Sequence, residues 1–431
     1  MIAIAEGNAD NMKIKTLKRT YEQVQSLPAQ PHRKPKKPWL LLTSLIRLLS
    51  IPDMLATRFS YKVEGEIPRE PCLILMNHSS FIDLKIASKI FYPRRHCVVS
   101  TVDGMVGKRW LMERIGCIPT QKYVADLALI KDIRYALQEK RVDVLMYPEA
   151  GYSFDGCATA LPDTLGGLIK LLNVPVVTVI TQGAFARQPL YNELHLHRVP
   201  VSATVKCLLR PEEIASRSVE EINGALAETF TFDAFAWQKE KGIAVRDRNR
   251  ADGLERILYK CPACGAEGRM RGRGIHLTCR ACGKRYEMDE YGSLRATEGA
   301  TEFSHIPDWY AWERECVRRE LGEGMYLWDT EVDIGMLVDH RALYMVGSGR
   351  LRHDANGFLL EGCDGALRYE QKPQASYSLN ADYYWYEIGD VVGIGNRDAL
   401  YYCFPKTGSV TKARLAAEEL YKLNKPKRRD C

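Results

Sequence analysis

Apolar, β-branched runs alternate with helix-like segments between residues 72 and 180, and this alternation restricts the possible fold more than any other feature of the sequence. A repeated strand–helix order is typical of a largely parallel sheet with helices on its faces. We therefore expect the α/β fold class here, with the chemistry in loops that follow the strands. The predicted strands are 72–76, 97–101, 142–147 and 174–180, and the predicted helices are 82–91, 125–139 and 165–172.

The loop after the first of these strands contains a histidine and a carboxylate. Four residues separate His78 from Asp83, so the imidazole lies at a strand end and the carboxylate at a helix start. A carboxylate in this position can hold one imidazole nitrogen while the other faces a substrate hydroxyl. Helix capping by Asp83 is the simpler alternative. A nucleophile at Ser79 or Ser80 is disfavoured because neighbours of a histidine seldom point at its ring and no nucleophile elbow is present.

The loop after the 142–147 strand is the second candidate. Glu149 follows a proline at the strand end and precedes small residues, among them Gly151. Such a loop can approach a polar headgroup closely. A simple turn would account for the same residues.

Together and in this order, the two loops resemble motifs of the glycerophospholipid (1-acyl-sn-glycerol-3-phosphate) acyltransferase superfamily, over about residues 60 to 210. His78 and Asp83 match its His-x4-Asp block, and 147–149 match the start of its Phe-Pro-Glu-Gly block. The segment 116–122 resembles the intermediate block, which carries a glycine and ends in a basic residue. The segment 174–176 resembles the last block, a Pro-Val pair on an apolar strand.

The resemblance implies a one-step acyl transfer of the 1-acylglycerol-3-phosphate O-acyltransferase type. A fatty acyl group would move from acyl-CoA or acyl carrier protein to the hydroxyl of a lysophospholipid, by default 1-acylglycerol-3-phosphate. His78 would act as general base and Asp83 would orient and stabilise it, without an acyl-enzyme or a catalytic cofactor. The substrate-binding residues would be Asn77, Lys122, Glu149, Gly151 and Ser153, with Lys122 at the acceptor phosphate.

Two departures from the family pattern bear on the acceptor. Ala150 stands where the family has glycine, and Tyr152 stands where it has a basic residue. Lys122 replaces the more usual arginine and binds phosphate as a point charge rather than as a fork. Another lysolipid or hydroxyl acceptor is therefore possible.

Four of the thirteen cysteines form two Cys-x2-Cys pairs separated by fourteen residues. Two such pairs predict a tetrahedral zinc site and resemble a zinc ribbon, with reversible disulfides as the alternative. Because thiolates would fill all four positions, the zinc is predicted to be structural. Nearby basic residues would also suit nucleic acid, but we do not expect it as a partner. The predicted ligands are Cys261, Cys264, Cys279 and Cys282.

The most apolar stretch near the N-terminus, 39–56, is interrupted by Arg47, Pro52 and Asp53. A spanning helix needs about 20 mostly apolar residues. A preceding basic run at 33–37 favours a helix in the membrane interface, with a helix packed on the core and a merely solvated run as alternatives. No signal peptide is visible in 1–12, and the odd number of cysteines favours a reducing compartment. We expect a cytoplasmic protein that associates peripherally with a membrane surface.

The last third of the chain, rich in Tyr, Val and Trp, predicts several antiparallel strands from 325 to 404. Helices are predicted at 307–321 and 409–423, and this element order weakly resembles a pleckstrin-homology-like domain. The tyrosines of this region are expected to pack in the core rather than bind a ligand: Tyr383, Tyr384, Tyr386, Tyr401 and Tyr402.

The predicted organisation therefore has four parts. They are a basic N-terminal segment with an interfacial helix (1–56), an acyltransferase domain (57–245), a zinc ribbon (255–295) and a mainly β domain closed by a helix (305–425). The net charge of +7 is mild for 431 residues and does not by itself indicate nucleic acid. The alternative function is a membrane-associated binding module, in which an acyltransferase fold has lost phosphate recognition.

Overall fold

The computed structural model describes residues 13–124 and 126–425. Two sequence predictions fall wholly or partly outside the described residues. They concern the signal-peptide region 1–12 and Ala125 at the start of a predicted helix.

The N-terminal segment forms one short strand and three helices: β1 (Thr16–Lys18), α1 (Tyr21–Gln25), α2 (Leu40–Leu49) and α3 (Ile51–Ala56). The apolar stretch at 39–56 is thus two helices, because Pro52 has no N–H to continue α2 and is favoured in a first helical turn. Arg33 and Lys36 of the basic run pair with Glu113, at N···O distances of 3.5 and 2.6 Å. Part of the basic run is therefore held against the α/β region by ion pairs.

The α/β region contains one seven-stranded sheet with helices around it, which confirms the predicted fold class of the first half. The strand order is β2-β8-β7-β3-β6-β4-β5, and only the β7–β8 pair is antiparallel. The elements are β2 (Ser60–Glu64), β3 (Leu73–Met76), α4 (Asp83–Phe91), β4 (His96–Thr101), α5 (Arg109–Arg114), β5 (Cys117–Thr120), α6 (Leu127–Gln138), β6 (Asp143–Met146), α7 (Leu165–Leu172), β7 (Val176–Gln182), α8 (Ala184–Arg187), β8 (Ser202–Leu209), α9 (Pro211–Ser216), α10 (Val219–Thr229) and α11 (Ala234–Glu240).

The register of the central strands brings the two candidate loops together. Every residue of β3 is buried, as expected for an apolar strand covered on both faces. Leu75 pairs with Met146 of the parallel strand β6, so the loops that begin at Asn77 and Tyr147 leave the same edge of the sheet. The carboxyl ends of β4 and β5 meet this edge as well.

A small antiparallel sheet follows, with strand order β12-β11-β10-β9. It carries the two cysteine pairs at and beside its strands. The strands are β9 (Met270–Arg273), β10 (His276–Cys279), β11 (Arg285–Met288) and β12 (Leu294–Ala296).

The C-terminal region is mainly β, as predicted. Its strands follow the order β16-β15-β14-β13-β19-β18-β17, and β1 adds to β14 in parallel. The pleckstrin-homology-like fold stays a prediction. The elements are α12 (Ile306–Gly322), β13 (Trp328–Leu337), β14 (Leu343–Asp354), β15 (Gly357–Gly362), β16 (Leu367–Gln371), β17 (Asn380–Trp385), β18 (Gly389–Gly395), β19 (Leu400–Pro405) and α13 (Val410–Asn424).

The C-terminal region packs directly over the edge of the α/β sheet at which the carboxyl ends of the parallel strands lie. Arg414 of α13 donates through Nη1 to the carbonyl of Tyr152, at 3.2 Å. Tyr386 donates its hydroxyl to Asp103 Oδ2, also at 3.2 Å. These contacts make the β domain one wall of the cavity described next.

Candidate active site

A cavity of about 980 Å³ lies between the carboxyl edge of the α/β sheet and the C-terminal domain. His78 and Asp83 line it together with Tyr147 and Tyr152. Its rim carries partly exposed apolar side chains, including Phe81, Leu84, Leu127 and Leu171. The cavity is therefore large and apolar enough at its mouth for an acyl chain.

His78 and Asp83 form the hydrogen-bonded pair that their spacing suggested. His78 Nδ1 lies 3.1 Å from Asp83 Oδ2, which also accepts from the backbone N–H groups of Ser79 and Ser80 at 3.0 and 3.1 Å. Asp83 is almost fully buried at the first turn of α4. Among the described residues, Nε2 of His78 has no hydrogen-bond partner, which leaves that nitrogen for a substrate.

Two tyrosines enclose the imidazole of His78. The rings of Tyr147 and Tyr152 stack on it with centroid distances of 4.0 and 3.9 Å. Desolvation lowers the pKa of His78, against the raising effects of its hydrogen bond to Asp83 and of that residue's charge. The imidazole is therefore neutral at neutral pH, the form that a general base needs.

Glu149 holds the two loops together from beneath the cavity. Its Oε2 accepts from the backbone N–H of His78 at 2.7 Å, and its Oε1 accepts from that of Thr159 at 3.3 Å. Burial raises the pKa of Glu149 to about 7. The carboxyl group does not line the cavity, so its contacts are to the backbone of the site.

Asn77, Gly151 and Ser153 are also buried and lie outside the cavity lining. Asn77 joins the ends of β3 and β7, since its Oδ1 accepts from the N–H of Thr181 at 2.7 Å. Ser153 donates to the carbonyl of Cys157 at 2.6 Å. A Cβ at Gly151 would lie 2.7 Å from the Tyr123 hydroxyl, so a side chain there would have to displace Tyr123. The observed contacts of Asn77, Gly151 and Ser153 are therefore with other parts of the protein, and they stabilise the conformation of the loops.

Lys122 is the one predicted substrate-binding residue that lines the cavity. Its Nζ forms no hydrogen bond or ion pair within 13–124 and 126–425, although its charge lowers the pKa of His78. It therefore lies near the imidazole and is free to bind a ligand.

The sequence did not predict that the C-terminal domain contributes to this cavity. Tyr384 and Tyr386 line it, as does Tyr383, whereas Tyr401 and Tyr402 pack in the core as expected. Tyr383 is nonetheless buried in the apolar core, as expected, and for Tyr384 and Tyr386 the expectation that they do not bind a ligand stays a prediction. No local pattern in the sequence marks them, because the wall exists only once the two domains pack.

The four paired cysteines form a candidate metal centre away from the cavity. Their sulfur atoms lie within 4.8 Å of one another. The distances between Cys261 and Cys282 and between Cys264 and Cys279 are 3.9 and 3.8 Å. Sulfur atoms around a tetrahedral zinc at about 2.3 Å would be about 3.8 Å apart. The arrangement therefore fits zinc.

An apolar surface covers the N-terminal helices. No residue of α2 is buried, and Leu41, Leu48 and Leu55 are 79, 61 and 73% exposed. Trp39 and Trp110 extend this surface and contact each other edge to face. No helix in the described part of the chain has the length and apolarity needed to cross a bilayer.

Comparison with known proteins matches part of this chain to one family model. Residues 59–182 match the family model described as Acyltransferase. The crystal structure of the 1-acyl-sn-glycerophosphate (LPA) acyltransferase PlsC from Thermotoga maritima is similar to this chain. The match covers 44% of this chain and 77% of that one, at 15% identity and a TM-score of 0.35. No curated protein matches the chain. The family match supports an acyltransferase-type domain at residues 59–182.

Proposed function

We propose that this protein is an acyltransferase that transfers a fatty acyl group from acyl-CoA or acyl carrier protein to the hydroxyl of a lysophospholipid. The observation that carries the proposal is the His78–Asp83 pair, with a free Nε2, at a large cavity in an acyltransferase-type domain. The sequence motifs point to 1-acylglycerol-3-phosphate as the reference acceptor and to phospholipid biosynthesis as the process.

The chemistry follows from this geometry. Nε2 of His78 takes the hydroxyl proton while the acceptor oxygen attacks the thioester carbonyl carbon. The buried carboxylate of Asp83 stabilises the imidazolium that forms. The C–S bond of the tetrahedral intermediate then breaks, and the leaving thiolate takes the proton from His78. No acyl-enzyme is needed, because the acceptor oxygen attacks the thioester carbon directly.

We further propose that the protein reaches its lipid substrate by peripheral binding through the exposed apolar surface of α2 and α3. A helix with leucines and a tryptophan on one side is suited to the headgroup–acyl boundary. We propose structural zinc at Cys261, Cys264, Cys279 and Cys282. Thiolates would fill all four coordination positions, so this metal would stabilise the fold and take no part in the reaction.

The proposal is tested with folded, zinc-loaded protein, labelled oleoyl-CoA or oleoyl–acyl carrier protein, and lysophospholipid in vesicles. Diacyl product that depends on both donor and acceptor is expected. Absence of product with every donor and acceptor would overturn the enzymatic proposal and leave a membrane-associated binding module as the function.

A further inference from the structure

We infer that the acceptor is a zwitterionic lysophospholipid, with its phosphate at Lys122 and its ammonium group at Asp382 of the C-terminal domain. Both side chains line the cavity that contains His78. This inference rests on the proposed function and names the headgroup that the site selects.

The first argument comes from the pairing of charges around the cavity. Most of its acidic residues already have partners on the protein. Asp83 binds His78, Asp103 accepts from Tyr386, Asp126 lies 3.6 Å from Arg397, and Asp163 pairs with Lys425.

Lys122 and Asp382 form no ion pair in the ranges that the structure describes, although the charge of Lys122 lowers the pKa of Asp382. Two opposite charges that face one cavity without contact are arranged to bind a ligand that carries both signs.

The second argument comes from the environment of Asp382. Its side chain is buried, at 8% exposure, and Oδ1 accepts only from the adjacent N–H of Tyr383, at 2.9 Å. Burial raises its pKa to about 6, against the lowering effect of Lys122, so the carboxylate is ionised at neutral pH. Among the described residues Oδ2 has no partner, and a cationic ligand would supply one.

The C-terminal domain also contributes several aromatic side chains to the cavity that Asp382 lines. Tyr377, Tyr384, Trp385 and Tyr386 all line the cavity. An ammonium group is attracted to aromatic faces as well as to a carboxylate. Tyr384 and Tyr386 have left-handed φ angles of 51° and 46°, and such strained backbone clusters at ligand sites.

The charge balance also disfavours a phosphate monoester. A monoester carries about −1.5 to −2 charges at pH 7. Lys122 is the cavity's only cation without a protein partner among the described residues, and Asp382 would repel the excess negative charge. The phosphodiester of a zwitterionic headgroup carries one negative charge, which Lys122 matches. The ammonium group of the same headgroup carries one positive charge, which Asp382 matches.

The test measures kcat/KM for acyl transfer to 1-oleoyl-lysophosphatidylethanolamine, 1-oleoyl-lysophosphatidylcholine and 1-oleoyl-lysophosphatidic acid. Wild type should prefer a zwitterionic acceptor. Asp382→Asn should lower the ratio of kcat/KM for lysophosphatidylethanolamine to that for lysophosphatidic acid about tenfold, the effect of one charged hydrogen bond, which the ammonium of ethanolamine can donate and that of choline cannot. The matched control is Asp364→Asn, an exposed turn residue in the same domain.

Headgroup binding supplies a readout that does not depend on catalysis. By calorimetry, sn-glycero-3-phosphoethanolamine should bind wild type more tightly than sn-glycerol-3-phosphate, and Asp382→Asn should remove this difference. The inference is overturned if lysophosphatidic acid is the better substrate and glycerol phosphate the tighter ligand, or if Asp382→Asn alters both headgroups equally. Acylation of lysophosphatidic acid alone would leave the proposed function intact, whereas no acylation of any acceptor would overturn that function.

Discussion

His78 is restrained at three points by residues from the two candidate loops. Asp83 holds Nδ1, Glu149 holds the backbone N–H, and the rings of Tyr147 and Tyr152 cover both faces. A general base held in this way keeps Nε2 in one direction, and fixed orientation accounts for much of the rate enhancement in acyl transfer.

The pH dependence of the reaction tests this arrangement. Because the base must be neutral, kcat/KM should fall as the pH drops through the His78 pKa, which burial holds below its usual 6.5. Asp83→Asn removes the charge that raises this pKa, so the acid limb should move to still lower pH. The same variant should lose about 10²- to 10⁴-fold in kcat. An acid limb at an unchanged or higher pH would contradict this role of Asp83.

Glu149 should make the stability of the protein depend on pH. Its pKa is about 7 in the folded protein, above the value of 4.5 for an exposed Glu, so the folded state holds a proton that the unfolded chain releases. This stabilisation is full below about pH 4.5 and is lost as the pH rises through about 7, a change of about 3 kcal/mol. In urea titrations, Glu149→Gln should lose this pH dependence.

Glu212→Gln, at an exposed position, is the control for that titration. If wild type and Glu149→Gln lose the same stability between about pH 5 and pH 8, Glu149 is ionised throughout and the prediction is wrong.

At the scale of elements, helices α2 and α3 expose a leucine-rich surface to solvent. Each leucine that leaves water for lipid contributes about 1.5–3 kcal/mol. The double variant Leu41→Glu/Leu48→Glu should therefore reduce sedimentation with anionic liposomes at least about tenfold. Leu196→Glu, at another exposed leucine, is the control. Equal sedimentation of the two variants would show that α2 does not contact the membrane.

Point variants are better suited to this test than removal of residues 1–56. Strand β1 pairs with β14 of the C-terminal sheet, and Lys36 pairs with Glu113 of the α/β region. A truncated protein would lose these contacts along with α2, so loss of membrane binding could follow from unfolding.

The elements near the carboxyl edge of the α/β sheet were predictable because each is indicated by the pattern of apolar residues in its own short segment. The buried strand β3 has an unbroken apolar sequence, and α7 has the predicted bounds. The His78 and Glu149 loops were found because each follows such a strand. The predicted helix at 39–56 is interrupted because Pro52 affects hydrogen bonding one turn earlier.

The parts that were missed depend on contacts between distant residues. Tyr152 was noticed as a departure from the family pattern, but its stacking on His78 needs two loops to meet. Asp382 and Tyr386 reach the cavity only because α13 and β17 dock on the α/β region, through contacts such as that of Arg414 with Tyr152. Side chains 262 positions apart give no joint signal in one sequence.

At the scale of the whole molecule, the predicted zinc ribbon lies between the other two regions. Tyr286 of the ribbon packs edge to face on Trp309 of α12, with ring centroids 5.0 Å apart, and Gly292 lies against Phe235 of α11. Cys261 and Cys279 belong to the same buried apolar cluster as these rings. Order at the metal site should therefore affect the entire fold.

Zinc removal should destabilise the whole protein. The purified protein should contain about one zinc per chain, and chelation should lower its Tm by at least about 10 °C, with activity lost in parallel. Cys279→Ser should have the same effect, whereas Cys207→Ser, outside the cluster, should not. Full stability and activity in zinc-free protein would contradict a structural metal.

The most direct test of the account is acyl transfer by His78→Ala compared with wild type and with His195→Ala, an exposed histidine elsewhere in the domain. Product formation from oleoyl-CoA or oleoyl–acyl carrier protein is measured with protein that keeps its wild-type Tm. We predict that His195→Ala transfers the acyl group like wild type and that His78→Ala loses at least about 10²-fold in kcat. Product formed at the wild-type rate by His78→Ala would contradict the central claim that His78 is the general base.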